Sequence, residues 1–118
     1  YPSGMLHSNI TDLANFALTI LQDGNFNGNN ILSPANLQSM FIVQNSSLSS
    51  SQSLQFYKET FNVESGKISL WGHSGGEIGI VTDMYFDFDK NMCVIMLTNE
   101  EDGTLSLFEK IYDYSLNL

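Results

Sequence analysis

The clearest alternation of apolar and polar residues in the chain is at Ile78–Phe88, which reads IGIVTDMYFDF. Apolar side chains occupy one set of alternate positions apart from Thr82, while the other set carries Asp83 and Asp87. Because successive side chains of a β-strand point to opposite faces, this pattern predicts a strand with one face in a core. We therefore expect a β-sheet in the second half of the chain.

Strand patterns continue on both sides of this stretch. Residues 54–63 alternate in the same way, and Glu64–Lys67 supplies a turn that leads into a strand at Ile68–Gly72. After a turn at Asp89–Asn91, Met92–Thr98 is apolar almost throughout, which is typical of a strand covered on both faces. Together these strands are predicted to form an antiparallel meander.

The first third of the chain has helical spacing instead. Apolar residues recur on one helix face over residues 9–22, with Ser8 as the predicted N-cap. Ser33 followed by Pro34 marks the start of a second, shorter helix that runs to about Phe41. Two helices are therefore expected before the first strand.

The order of elements predicts an α+β fold, an antiparallel β-meander covered by helices. Residues 24–30 are predicted to form a turn-rich connector, the Ser-, Gln- and Asn-rich residues 44–53 a surface loop, and the residues from Leu105 onward a final helix. At 118 residues, the chain is expected to be a single or partial domain, residues 1–118. Its helical part is residues 1–53, and residues 54–118 hold the strands and the C-terminal helix.

Charge and composition exclude several classes of partner and cofactor. The chain has 13 acidic and 4 basic side chains, for a net charge of −9, so a nucleic acid or an anionic membrane would be repelled. No apolar stretch reaches the roughly 18 residues that span a bilayer. The single cysteine, Cys93, excludes a disulfide framework and is expected to be a small buried hydrophobe. We predict no cofactor and no metal site, and we expect Asp83, Asp87 and Asp89 to form a solvated face.

The segment Gly72–Gly76, Gly-His-Ser-Gly-Gly, is the first candidate for chemistry. It fits Gly-x-Ser-x-Gly, the nucleophile elbow of α/β-hydrolases, which would make Ser74 a nucleophile. That elbow needs a helix directly after the serine and a histidine downstream, whereas Glu77 onward alternates as a strand and His7 lies upstream. The context therefore argues against an α/β-hydrolase.

A different serine-hydrolase architecture carries His-x-Gly on a strand. Four stretches match its motifs in order: Tyr1–Ser8 with Asp12–Phe16 (Pro-small-Gly-Gly-Leu-x-Ser, then Asp-Leu-Ala-x-Phe), Leu32–Pro34 (Leu-Ser-Pro-Glu), Gly72–Gly79 (Gly-His-Ser/Thr-Gly-Gly-x-x-Gly) and Val94–Asn99 (Val-Val-Val-Leu-Thr-Asn). Over nearly its whole length the chain resembles the C-terminal part of the β-lactamase-related serine hydrolases. These are class C-like β-lactamases, DD-peptidases and their esterase relatives.

That resemblance implies that the chain forms the C-terminal part of a β-lactamase/transpeptidase-like fold. It also implies that the parent enzyme hydrolyses an ester, amide or peptide through a serine acyl-enzyme. The family site combines a Ser-x-x-Lys nucleophile, a Tyr-x-Asn or Tyr-x-Ser base and the Lys-Thr-Gly or His-x-Gly strand. The chain has no Ser-x-x-Lys and no Tyr-x-Asn, and Tyr57, Tyr85, Tyr112 and Tyr114 lack Asn or Ser two residues on. We therefore expect no catalysis by this chain alone.

By motif match, the resemblance assigns roles to four residues. His73 would line the cleft and help to place a substrate carboxylate or tune the general base. Ser74 would offer its hydroxyl to the substrate, and Gly75 would let the substrate approach the strand. Gly76 would present its backbone N–H to the developing oxyanion. His73 and Gly76 are thus the catalytic candidates, and Ser74 and Gly75 the substrate-binding ones.

The resemblance also implies partners. These are a small-molecule or peptide substrate, bound together with an N-terminal part that precedes this chain. The resemblance further suggests an extracytoplasmic location. The strand at Met92–Thr98 would lack its family neighbours, so an open edge predicts a homodimer. The alternative is a non-catalytic module that binds a carboxylate ligand or has a structural role. In that case the glycines only reverse the chain, and His73 is a core residue beside Trp71.

Overall fold

The computed structural model describes residues 6–100 and 104–118. In chain order the elements are α1 (Ile10–Leu21), β1 (Asn25–Phe26), β2 (Asn29–Asn30), α2 (Pro34–Ser39), β3 (Tyr57–Val63), β4 (Gly66–Glu77), β5 (Ile80–Asp87), β6 (Met92–Thr98) and α3 (Thr104–Ser115). Strands β3 to β6 form one antiparallel sheet in the order β3-β4-β5-β6. The α+β class and the meander covered by helices are therefore confirmed. Residues Tyr1–Met5 of the family-like motif lie outside the described residues.

The strand β4 is longer than the sequence suggests. It was predicted over Ile68–Gly72, but it begins at Gly66 and runs through the whole Gly-His-Ser-Gly-Gly motif to Glu77. The chain reverses beyond that motif, at Ile78 and Gly79, where Gly79 has a φ of 76° that favours glycine. The glycines of the motif therefore do not make the turn, and β5 starts at Ile80 rather than at Ile78.

The predicted start of β3 at Leu54 is wrong, because pairing with β4 begins only at Tyr57. The cause is local. The Ser53 hydroxyl accepts a hydrogen bond from the Phe56 N–H (3.1 Å) and donates one to the Phe56 carbonyl (2.6 Å). A serine side chain that satisfies nearby backbone groups competes with strand pairing and favours a turn.

The helices begin close to their predicted positions. Asn9, not Ser8, is the N-cap of α1, since its side chain accepts from the N–H groups of Thr11 and Asp12. Ser33 caps α2 as expected, although that helix ends at Ser39. The connector contains a hairpin of two short strands, β1 and β2, whereas residues 44–53 form the predicted loop without a helix or strand.

Each face of the sheet carries its own hydrophobic cluster. The first joins α3 to residues of all four strands: Phe61, Val63, Leu70, Tyr85, Val94, Met96, Phe108 and Tyr112. The second joins α1 and α2 to the opposite face: Ala17, Ile20, Leu37, Phe41, Phe56 and Phe86. Val94 and Cys93 of β6 face different clusters, so the prediction of a strand covered on both faces is confirmed. Burial raises the pKa of the Cys93 thiol to about 12, as suits a small hydrophobe.

Asp87 is not simply solvated, which corrects the expectation for that residue. Its carboxylate accepts a hydrogen bond of 2.6 Å from the hydroxyl of the buried Tyr112. This bond joins β5 to α3. No helix among the described residues is long and apolar enough to cross a bilayer.

Gly72 is required by packing. A Cβ at this position would lie 2.2 Å from the Met84 carbonyl oxygen and 2.3 Å from the Tyr85 ring, so both would have to move. We expect Gly72→Ala to lower the free energy of unfolding by about 1–3 kcal/mol, the usual cost of overpacking. Gly76→Ala is the matched control, because its Cβ would approach the Ile80 carbonyl only to 3.9 Å. Urea unfolding measures both variants, and equal midpoints would contradict the packing role of Gly72.

The outer edge of β6 is a candidate site for dimer formation. Among the described residues β6 pairs only with β5, so a second strand can add to it. The homodimer therefore stays a prediction, and light scattering over a range of concentrations should show a dimer mass. A monomer mass at the highest soluble concentration would contradict it.

Candidate functional site

The candidate residues His73, Ser74, Gly75 and Gly76 lie together in the second half of β4. β3 pairs with β4 only as far as Tyr57 opposite Gly72, whereas β5 accompanies β4 to Glu77. From residue 73 to residue 77, therefore, one edge of β4 has no partner strand among the described residues. We call this stretch the β4 edge.

Backbone hydrogen bonds show which groups face the β4 edge. The Ser74 N–H donates to the Tyr57 hydroxyl oxygen (3.1 Å), so it points toward the side of β3. The Gly75 carbonyl, on the opposite side, accepts from the Thr82 hydroxyl of β5 (3.4 Å). Backbone groups alternate sides along a strand, so the Gly76 N–H also faces the β4 edge. The predicted oxyanion donor thus points toward an open strand edge.

Tyr57 is the centre of a hydroxyl network on the α3 side of the sheet. Its oxygen accepts from the Ser74 N–H and from the Tyr85 hydroxyl (2.8 Å), which uses both lone pairs. The Tyr57 hydroxyl must therefore donate its proton to Ser74 Oγ, 2.7 Å away. Ser74 Oγ is an acceptor in this contact, and its own proton can be donated to a bound ligand.

Burial favours the uncharged forms of two groups around Ser74, Tyr85 and Asp83. It raises the pKa of Tyr85 far above the usual range for tyrosine, and the hydrogen bond to Tyr57 adds to the shift. Burial also raises the pKa of Asp83, which lies opposite Ser74 in the strand register. Tyr85 therefore remains a proton donor toward Tyr57, and the environment disfavours further negative charge.

His73 lies on the other face of β4 from Ser74, although its ring reaches the β4 edge. The ring packs edge-on against Tyr57 with centroids 5.3 Å apart, and Nδ1 is hydrogen-bonded to the Ser74 carbonyl. A carbonyl only accepts, so Nδ1 carries the proton and Nε2 is the acceptor of the neutral ring. Ser74 Oγ is bonded to Tyr57 rather than to His73. The arrangement is thus not the serine–histidine pair of a nucleophile elbow.

A cavity of about 830 Å³ adjoins this part of β4. It lies between the residues that lead into α1, including His7, and the ends of β4, β5 and β6. His73 and Glu77 lie on its wall. Within residues 6–100 and 104–118, no group of three or more His, Cys, Asp or Glu side chains could hold a metal ion.

Tyr57 and Tyr85 belong to the site, although no motif in the sequence predicts them as members. A signal for Tyr57 was present, since a hairpin in which Val63 pairs with Gly66 places Tyr57 opposite Gly72, diagonal to Ser74. The Tyr-x-Asn criterion passed over Tyr57 because it considers spacing along the chain and not register across strands. Tyr1-Pro2-Ser3 also has the Tyr-x-Ser spacing, but it belongs to the stretch Tyr1–Ser8 that matches a different family motif, and it lies outside the described residues.

Comparisons of this chain with protein-family models, with curated proteins and with solved structures found no match.

The hydroxyl network predicts the effect of removing one oxygen atom. Tyr57→Phe deprives the Ser74 N–H and the Tyr85 hydroxyl of their acceptor, so we expect a loss of about 1–3 kcal/mol in the free energy of unfolding. Tyr114→Phe is the control, because Tyr114 is 68% exposed. Chemical denaturation of both variants is the measurement. If both keep the parent midpoint, the network does not stabilise the β4 edge.

Proposed function

We propose that this chain is the C-terminal part of a β-lactamase-like serine hydrolase and supplies its His-x-Gly cleft strand and an oxyanion donor. The parent enzyme would hydrolyse an ester, amide or peptide through a serine acyl-enzyme, with the nucleophile and the base outside this chain. The observation that carries the proposal is the β4 edge, where the Gly76 N–H faces away from β5 beyond the end of β3.

The Gly76 N–H suits an oxyanion donor because strand pairing on the other side of β4 sets its direction. β4 and β5 pair continuously from Trp71 opposite Phe86 to Glu77 opposite Ile80, so the donor does not have to reorganise during the reaction. A pre-organised donor of this kind typically contributes about 3 kcal/mol or more to transition-state stabilisation.

Packing does not explain the glycine at position 76. A Cβ there would meet only the Ile80 carbonyl oxygen, at 3.9 Å, which is an ordinary contact. Glycine inside a strand costs roughly 0.5–1 kcal/mol relative to alanine. A glycine that the protein's own packing does not need fits a site where another molecule approaches the backbone closely.

Ser74 and His73 would bind complementary groups of the substrate. Ser74 Oγ can donate its proton, since it already accepts from Tyr57. His73 Nε2 is an acceptor in the neutral ring, because Nδ1 binds the Ser74 carbonyl. A substrate with both a carbonyl oxygen and an N–H group, such as an amide, matches this pair.

The second candidate is a non-catalytic module that binds a ligand. The cavity of about 830 Å³ beside β4 favours it, because a ligand site needs a concave surface and not a nucleophile. The two candidates differ in what precedes Tyr1 in the natural reading frame. A serine hydrolase requires Ser-x-x-Lys followed by Tyr-x-Asn or Tyr-x-Ser upstream, and a binding module does not.

Gly76→Pro tests the oxyanion donor in the protein encoded by that reading frame. Proline removes the N–H but no ladder hydrogen bond, because this N–H faces the β4 edge. We expect kcat to fall about 10²–10³-fold, the usual effect of losing one oxyanion donor. Gly76→Ala keeps the N–H and should retain most of the rate.

Three results would contradict the proposal. The first is a reading frame without the upstream motifs, which would favour the binding module. The second is a full rate for Gly76→Pro. The third is turnover of nitrocefin or p-nitrophenyl esters by this chain alone that depends on Ser74, which would place the nucleophile inside it.

A further inference from the structure

The cavity beside β4 is lined mostly by apolar surface, although polar residues also contribute to its wall. We call it the α1 cavity, because residues 6–8 and Leu13 form one wall and the ends of β4, β5 and β6 form the other. The sheet wall includes the apolar side chains of Ile80, Met84 and Leu97. A volume of about 830 Å³ lies within the range of small-molecule sites.

Large apolar side chains are exposed around this cavity. Leu6, Ile80 and Leu97 all line it, and each is more than two-fifths exposed. Scattered apolar residues are normal on a protein surface, but a group of them around one concavity is typical of a ligand site. The cavity can therefore bury part of a ligand by the hydrophobic effect.

The charges on the wall disfavour an anionic ligand. The sequence contains no arginine, and none of its four lysines, Lys58, Lys67, Lys90 and Lys110, lines the cavity. Glu77 does line it, and the protein carries a net charge of −9.

We propose that the α1 cavity binds the apolar group of a neutral molecule, such as an alkyl or aryl acyl group, and rejects a free carboxylate. The polar end of that molecule would lie at residues 73–77, which form part of the cavity wall. The claim that this molecule is the substrate rests on the proposed function. The claim that the α1 cavity binds it does not. It also replaces the carboxylate expected from the family resemblance with an uncharged group.

Three related probes test the proposal on the chain itself at pH 8. N-octanoylglycinamide is neutral and apolar, N-octanoylglycine differs from it by a carboxylate, and N-acetylglycinamide lacks the long chain. Titration of the ¹⁵N-labelled protein, below the micelle concentration of each probe, should shift the amide resonances of Leu13, Met84 and Leu97. The neutral octanoyl compound should bind at least about tenfold more tightly than the other two, because it alone buries a long alkyl chain without a charge.

A pair of variants locates the binding. Leu97→Glu adds a charge to the cavity wall at a residue that is 41% exposed, and it should weaken the binding of N-octanoylglycinamide at least about tenfold. Leu107→Glu makes the same change on α3 at a residue that is 45% exposed and does not line the cavity, so it should leave the binding unchanged. If Leu97→Glu fails to fold, Ile80→Ser provides the second cavity variant.

The outcomes separate this proposal from the proposed function. Loss of activity in Gly76→Pro without octanoyl binding to the chain would overturn the α1 cavity as a site and leave the hydrolase proposal standing. Octanoyl binding without the upstream motifs would support a ligand-binding module. Equal affinity for N-octanoylglycine and N-octanoylglycinamide, or shifts only at residues away from the cavity, would overturn the proposal.

Discussion

The Tyr57 hydroxyl makes the contact on which the β4 edge depends. It lies where the pairing of β3 with β4 ends, and it accepts the Ser74 N–H, the first backbone donor of β4 beyond that pairing. The Tyr57 side chain thus provides the hydrogen-bond acceptor that a neighbouring strand would otherwise provide. The next N–H on the same side belongs to Gly76, so the candidate oxyanion donor is the first edge donor that Tyr57 does not take.

The core beneath the α3 face holds this network in place. The Tyr85 ring packs against Phe61 and Phe108, with ring centroids 4.9 and 5.4 Å away, and both phenylalanines are almost fully buried. The same ring lies over Gly72, where a side chain would collide with it. Because the Tyr85 ring is packed between these phenylalanines and Gly72, its side chain is held in the rotamer that donates to Tyr57. The aromatic core thus positions a polar site at the end of the sheet.

The sequence was sufficient to predict the elements that repeat a simple period. Alternation between faces predicted the meander, and the Ser33-Pro34 pair predicted the start of α2, because both signals depend on local geometry. The prediction from alternation failed where side-chain hydrogen bonds prevent strand pairing despite an alternating sequence. The Ser53 hydroxyl satisfies the backbone of Phe56 and delays the start of β3 to Tyr57.

The site was predictable only in part for a related reason. The motif placed His73 to Gly76 on one strand, but the contacts of Ser74 come from Tyr57, which is 17 positions away in the chain. Spacing along the sequence does not reveal such a partner. Strand register does, because it places Tyr57 diagonal to Ser74 once the turn between β3 and β4 is fixed.

The two faces of β4 give the site two chemical characters. On the α3 face, Ser74 belongs to a hydroxyl network and lies opposite Asp83, whose pKa burial raises, so that side disfavours added negative charge. On the α1 face, His73 lies on the wall of an apolar cavity. The Gly76 N–H faces the edge between them. A molecule bound along this edge would therefore meet a donor at its polar centre and an apolar surface on one side, which favours an uncharged acyl compound over a free acid.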